Sequence, residues 1–196
     1  VSFCMARKCI NARQEILKQA GKLFSQQGYF GTSMSAIASE VSVGKSTLYY
    51  HFESKEALCR ELLEDSYSEL EKRNKHAVKE SITSFDVLFN MVKALVDFRI
   101  KHPEINLLTN VALSGDEGES IVWFMVGLRI EILKLIRGRV ENLDFARRKG
   151  RKFVYLLSTL ILASVFNPLV PKDIGPKEFS HQLTTLFTAG KKNNYA

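Results

Sequence analysis

Cysteine is scarce in this 196-residue chain: Cys4, Cys9 and Cys59 are too few and too irregularly spaced for a disulfide framework. There is no Cys-x-x-Cys pair, and the four histidines are scattered, so no metal site is expected. No apolar run reaches the roughly 18 residues that cross a bilayer. The longest, Leu156 to Phe166, is interrupted by Ser158, Thr159 and Ser164 and has the length of a buried helix. Val1 to Cys4 make no secretory signal, because Arg7 and Lys8 follow almost at once. Met5 is a candidate start, with the residues before it a leader or an expression remnant. A cytoplasmic protein with no membrane partner is the expectation. Strand-like alternation, internal repeats and low-complexity tracts are also missing. So are paired carboxylates at useful spacing and a Ser-His-Asp signature, so no enzyme and no cofactor are expected.

The chain does have the profile of a globular protein, 45% hydrophobic and 25% charged. Its net charge of +7 favours an anionic partner. That charge is uneven. Residues 1–65 hold eight Lys/Arg against seven Asp/Glu, a net of +1, and the remaining 20 and 14 give residues 66–196 a net of +6.

Helical periodicity runs through almost the whole sequence. Ile16, Leu17, Ala20, Leu23 and Phe24 repeat at helix spacing, and Gly28 is a plausible stop. Thr32 and Ser33 can cap a second helix with apolar positions Met34, Ile37, Ala38 and Val41. Ser42-Val43-Gly44 makes a turn, with Gly44 the residue suited to a backbone conformation costly for others. A third helix runs from about Lys45 to Phe52, and Ser54 caps a fourth carrying Leu58, Cys59, Leu62, Leu63, Tyr67 and Leu70. A further amphipathic series from Phe85 ends near His102-Pro103, Ser114 to Gly118 reads as a loop, and Trp123 to Val140 and Phe145 to Phe166 read as two long helices. Pro168, Pro171, Gly175 and Pro176 interrupt the pattern before a last helix, about Lys177 to Ala189. The expected fold is all-α, with about nine helices.

The most informative segment is Ser33 to Phe52, two short helices around a tight turn. Its second helix carries Lys45, Ser46, Thr47, Tyr49, Tyr50 and His51 and can bury little of itself, which suits a helix lying in a groove of DNA. Gly44-Lys45-Ser46-Thr47 also invites comparison with a phosphate loop, but such a loop needs a further glycine five positions earlier, after a strand, and position 39 is serine in a predicted helix.

The run Gly44-Lys45-Ser46-Thr47-Leu48-Tyr49-Tyr50-His51-Phe52, followed by Ser54-Lys55-Glu56-Ala57-Leu58, resembles the TetR family of transcriptional regulators. Ile16, Ala20, Leu23, Phe24, Gly28-Tyr29, Thr32-Ser33-Met34 and Ile37-Ala38 extend the resemblance over about residues 10–65. Ser46 departs from it, since glycine is common there in the family. The resemblance implies a helix-turn-helix domain over residues 8–54, with the motif at about 33–52, and a helical ligand-binding and dimerisation domain over 55–196. It implies contacts to double-stranded DNA from Thr32, Ser33, Gly44, Lys45, Ser46, Thr47, Tyr49, Tyr50, His51 and Lys55. Serine and threonine at a helix N-terminus would fix register on a phosphate, and simple capping is the plainer alternative. Lys45 would reach a base edge or phosphate. Lys55 would meet a phosphate or stand as a surface lysine.

The second half carries its apolar residues on more sides than one exposed face allows, which suits a homodimer joined by Leu156, Leu160, Ile161, Leu183, Leu186 and Phe187. In the family, the middle helices enclose a small-molecule pocket. Phe89, Phe98, Leu108, Trp123, Phe124, Leu128 and Tyr155 are the candidate lining here, although aromatic stripes more often belong to plain core. A lipophilic or aromatic effector follows, acting on a repressor at a palindromic operator. The alternative is a ligand-independent architectural or partner-recruiting DNA binder. The run Arg147-Arg148-Lys149-Gly150-Arg151-Lys152 reads as a solvated helix start, with a second DNA or anionic-lipid contact as the other reading.

Overall fold

A computed structural model describes residues 2–79, 81–108, 119–166 and 175–188, without the side chains of residues 2–11, 108, 164–166 and 187. Among the described residues there are nine α-helices, one 3-10 turn and no strand: α1 Ser2–Gly31, α2 Met34–Val41, α3 Lys45–His51, α4 Lys55–Lys79, α5 Ser84–Lys101, the turn Pro103–Leu108, α6 Glu119–Val140, α7 Asp144–Lys149, α8 Arg151–Phe166 and α9 Pro176–Thr188. The all-α expectation holds. The expected loop at Ser114 to Gly118, and Pro168 and Pro171, lie outside the described residues.

Two compact units divide the chain, one of Val1–Ser66 with His102–Val126, the other of Tyr67–Lys101 with Gly127–Ala196. Helices α4 and α6 each contribute residues to both.

The first unit is organised by α1. Ile16, Ala20, Leu23 and Phe24 fall on one face at helical spacing and are buried. Ile37 and Ala38 of α2, Leu48 of α3, Phe52, and Leu58, Cys59 and Leu63 of α4 complete the core. Gly28 bends α1 near its end, at φ 75° and ψ 171°, a backbone region nearly restricted to glycine. The Lys55 side chain then closes the corner. Its Nζ donates to Tyr29 O at 2.9 Å and Thr32 O at 3.0 Å and lies 4.3 Å over the Tyr29 ring. A cation on carbonyls at the end of a helix satisfies groups the helix leaves open and sits well in its dipole. Arg13 pairs with Glu61 and lies 4.7 Å over the Phe52 ring, which ties α1 to α4.

The second unit buries Leu88, Met91, Val92, Leu95, Val96 and Phe98 from α5, and Ile132, Ile136 and Val140 from α6. Helix α5 packs against α8 and α9. The single helix expected from Phe145 to Phe166 is two helices, because Gly150 adopts φ 83° and ψ 176° between them. Its N–H donates to Ala146 O at 3.1 Å and Arg147 O at 3.3 Å, so α7 is capped before α8 starts in a new direction. In α9, buried Ser180 and Thr184 donate their hydroxyls back to Pro176 O at 2.6 Å and Ser180 O at 2.7 Å, which lets polar residues face the core.

Candidate nucleic-acid interface

Ser33 opens α2 as its N-cap, with Oγ accepting the Ala36 N–H at 3.1 Å. The Met34 and Ser35 N–H groups of the first turn have no intrahelical acceptor and remain available. At the other end the residue in the left-handed region is Ser42, at φ 57° and ψ 38°, and not Gly44 as expected. The Ser42 N–H reaches Ser39 O at 3.1 Å and the Val43 N–H reaches Ala38 O at 3.0 Å. That closing pattern puts the reversal two residues earlier, and Gly44 is left in extended backbone at φ −65°. A side-chain carbon at position 44 would meet only Ser46 Oγ at 3.6 Å and Thr47 Oγ1 at 3.9 Å.

Gly44 O accepts from Thr47 N at 3.0 Å and Leu48 N at 3.1 Å and so begins α3. Seven residues make that helix, and of these only Leu48 is buried. Lys45, Ser46, Thr47, Tyr49 and Tyr50 are exposed, His51 half-buried. Tyr49 is 52% exposed and Tyr50 79%, with the Tyr50 ring edge-on to His51 at 5.2 Å. No side chain caps the helix, no acid stands in its first turn, and Lys45 occupies that turn. A cation there opposes the helix dipole, so the arrangement suits an anionic partner better than it suits the isolated helix.

Two expected DNA contacts are placed elsewhere. Thr32 is buried, and its Oγ1 donates to Gly28 O at 2.8 Å. The Lys55 ammonium is spent on the α1 corner, and burial lowers its pKa from the ordinary lysine value. Each thus already holds a carbonyl acceptor of its own chain. Ser33, Gly44, Lys45, Ser46, Thr47, Tyr49, Tyr50 and His51 remain together on the α2–α3 surface.

The family model described as "Bacterial regulatory proteins, tetR family" matches residues 16–62, the stretch that holds this surface. An uncharacterised helix-turn-helix-type transcriptional regulator of Bacillus subtilis strain 168, YhgD, is 31% identical over 93 residues, which cover 47% of this chain and 49% of the relative. Over these residues the chain is similar to the TetR family. IcaR of Staphylococcus aureus strain Newman, a negative transcriptional regulator of the biofilm operon icaADBC, is 28% identical over 105 residues, covering 54% of this chain and 56% of its own. The chain thus spans about half the length of the curated relatives it matches. Among solved structures, the regulator FadR of Bacillus subtilis in complex with stearoyl-CoA superposes with a TM-score of 0.70 at 16% identity, covering 90% of this chain and 98% of the other.

Of the residues expected to line a pocket, Trp123 and Phe124 fall in the first unit and Phe89, Phe98, Leu128 and Tyr155 in the second. Phe98 and Leu128 are buried in the core of the second unit, and Phe89 stacks on Phe85 at 6.3 Å. Phe124, in the first unit, lies 4.5 Å beneath the Arg60 guanidinium, which also donates to Ser120 O at 3.0 Å. Trp123 is 63% exposed, with its Nε1 donating to Glu119 at 3.1 Å. The Leu108 side chain lies outside the described residues. Tyr155 lines a surface cleft of about 630 Å3 with Arg137, Glu141, Arg147 and Arg151. A larger cleft of about 850 Å3 is built from Val78, Ile82, Phe85, Arg139, Leu143, Phe145, Arg148 and Lys149, which sequence reasoning passed over. One signal for it was available: Val78 and Ile82, two aliphatic residues four apart in a polar stretch.

Of the residues expected at a dimer face, Leu156, Leu160 and Leu186 are exposed and Leu183 is half-buried. Ile161 is fully buried within its own unit, while the Phe187 side chain is outside the described residues. Among the described residues, no group of three or more His, Cys, Asp or Glu could hold a metal ion. No helix among them is long and apolar enough to cross a membrane.

Proposed function

We propose that this chain is a homodimeric transcriptional regulator that binds double-stranded DNA through α3 and represses from a palindromic operator until a small lipophilic effector releases it. The observation that carries the reading is the exposure of Tyr49 and Tyr50 beside Lys45, Ser46 and Thr47, on a helix held by one buried leucine. Two uncovered tyrosines and an unpaired lysine in a first turn gain partners when the helix enters a major groove. Tyr49, Tyr50 and His51 would bond phosphates, Thr47 would touch a thymine methyl or phosphate, and Lys45 would reach a base edge. The open N-terminal N–H groups of α2, with Ser33, would fix register on the backbone.

Such a helix reads few base pairs, so two copies on a symmetric site are needed for useful affinity. Exposed Leu156 and Leu160 of α8 and Leu186 of α9 support a facing bundle of helices from two subunits. Repression is supported by IcaR, described as a negative regulator, and an acyl effector by the stearoyl-CoA complex of FadR. The effector must bind the arrangement incompatible with DNA more tightly than the compatible one, since equal affinity shifts nothing. The continuous apolar packing of Met91, Val92, Leu95, Val96 and Phe98 favours a second reading, a DNA binder that answers to no ligand.

Gel retardation on a fragment from the chain's own upstream region tests the first reading. Retardation should weaken steeply with salt, and Lys45→Ala and Tyr50→Ala should each weaken it at unchanged stability. Full affinity in both variants would remove α3 as the contact surface.

A further inference from the structure

The basic run Arg147 to Lys152 plays no part in the DNA reading, and the backbone divides it. The turn at Gly150 sends Arg147 and Arg151 to one cleft and Arg148 and Lys149 to another. Arg139, at the end of α6, joins the latter pair. We propose that this second cleft, of about 850 Å3, binds an amphipathic anion, an aliphatic chain carrying a carboxylate or phosphate head. The inference rests on the reading of the second unit as the effector-sensing half, and it narrows the lipophilic effector to one with an anionic head.

The lining of the cleft combines two chemistries. Ile82, Phe85, Leu143 and Phe145 form an apolar wall. Ile82 is 94% exposed, the most exposed large hydrophobic residue described. An aliphatic chain laid against it would remove that surface from water, a gain that grows with each methylene buried. The same lining carries Arg139, Arg148 and Lys149, with Asp144 the one acid on it. Among the described residues no carboxylate pairs with any of the three cations, whereas Arg137 nearby takes Glu141 at 3.5 Å. Arg148 donates Nε to Asp144 O at 3.3 Å, which positions its head, and Lys149 lies 4.7 Å over the Phe153 ring. A neutral lipid would leave the cations unrelieved, and a bare phosphate would leave the wall wet.

The amide groups at the start of α5 are not the anion site. Thr83 Oγ1 accepts the Asp86 N–H at 3.1 Å, and Asp86 returns a carboxylate to the Thr83 N–H at 3.0 Å. That reciprocal cap closes the helix end, so the head must fall to the side-chain cations. Ser84 Oγ accepts the Asp144 N–H at 3.2 Å and thereby fastens the wall to α7. The cleft's volume lies within the roughly 300–1,000 Å3 usual for small-molecule sites.

Calorimetry on the full chain, with dodecanoate and dodecan-1-ol below their aggregation limits, tests the proposal. Dodecanoate should bind about tenfold or more tighter than the alcohol, the range for hydrogen bonds to a charged group. Arg139→Gln combined with Arg148→Gln should remove that advantage and leave the alcohol unchanged, at unchanged helicity. Ile82→Asp should weaken both. Dodecyl phosphate in a parallel arm separates the head groups, and tighter binding of either anion supports the site. Equal affinity for acid and alcohol, or cation variants without effect, overturns it. Sedimentation with phosphatidylglycerol vesicles without binding of free dodecanoate also overturns it, in favour of a membrane surface. Retardation of the upstream fragment by the same samples keeps the two readings apart. A chain that retards DNA but ignores dodecanoate ends the cleft proposal alone. A chain that binds dodecanoate through these cations but retards no DNA ends the regulator reading alone.

Discussion

Lys55→Met separates two roles for a lysine that stands where a phosphate contact is expected. Methionine keeps the length and apolar stem and removes the ammonium. Lost with it are hydrogen bonds of 2.9 and 3.0 Å to Tyr29 O and Thr32 O and the seat over the Tyr29 ring. Each bond from a half-buried donor contributes about 1 kcal/mol net, and the ring contact about 0.5 kcal/mol. Recovered desolvation of the ammonium offsets part of this, so the fold should lose about 2 kcal/mol. For a chain of this size that lowers the thermal midpoint by roughly 4–8 °C. Thermal and urea unfolding, followed by helical signal, measure it. DNA affinity should fall only as the α1–α2 corner loosens, and the slope of log affinity against log salt should not change. A lysine on a phosphate predicts the reverse: an unchanged midpoint and a slope smaller by about one ion. That second outcome would refute the strut.

Four other outcomes follow from buried or exposed groups. Burial pushes the Tyr29 hydroxyl from 10.0 to about 12, so the folded chain holds a proton that the unfolded chain releases above pH 10. Stability should therefore be intact below about pH 10 and fall as pH rises towards 12; urea midpoints measured against pH should show Tyr29→Phe removing that part of the slope. The Cys59 thiol, also raised to about 12, adds a loss of the same sign that begins near pH 9 and survives the tyrosine change. Asn74 is fully buried with neither amide atom partnered, so Asn74→Leu should hold or raise stability by about 1 kcal/mol in urea titration; a loss of 2 kcal/mol or more would mean the amide is satisfied in solution. Leu156→Glu with Leu160→Glu places charge on an exposed apolar face of α8; on the proposed homodimer, analytical ultracentrifugation should show a dimeric parent chain and a monomeric variant at the same concentration.

Much of the first unit could be read from spacing, because a helix with one apolar stripe writes its buried face at positions three and four apart, as Ile16, Ala20, Leu23 and Phe24 do. The outward residues of α3 were legible for the complementary reason: Tyr49, Tyr50 and Lys45 flank Leu48 on a helix too short to bury them. What escaped depends on groups remote in sequence or on local backbone. Lys55 finds carbonyls 26 and 23 residues earlier, and nothing near position 55 announces them. Ser42 takes the left-handed position beside a glycine that looks made for it, since the choice depends on which carbonyl of α2 is still open. Gly150 sits among five cations that continue a helical pattern, and only its own torsion reveals the break. Aromatic spacing does not distinguish core from surface: Phe98 is buried and Trp123 largely exposed. The 850 Å3 cleft is assembled from the ends of several helices, where periodicity is weakest.

Because a single leucine anchors α3, the fold asks almost nothing of the other side chains on it. Substitutions at positions 45, 46, 47, 49 and 50 can therefore accumulate without unfolding the molecule, and on the proposed DNA reading descendants of this chain are free to acquire new sequence preferences one residue at a time.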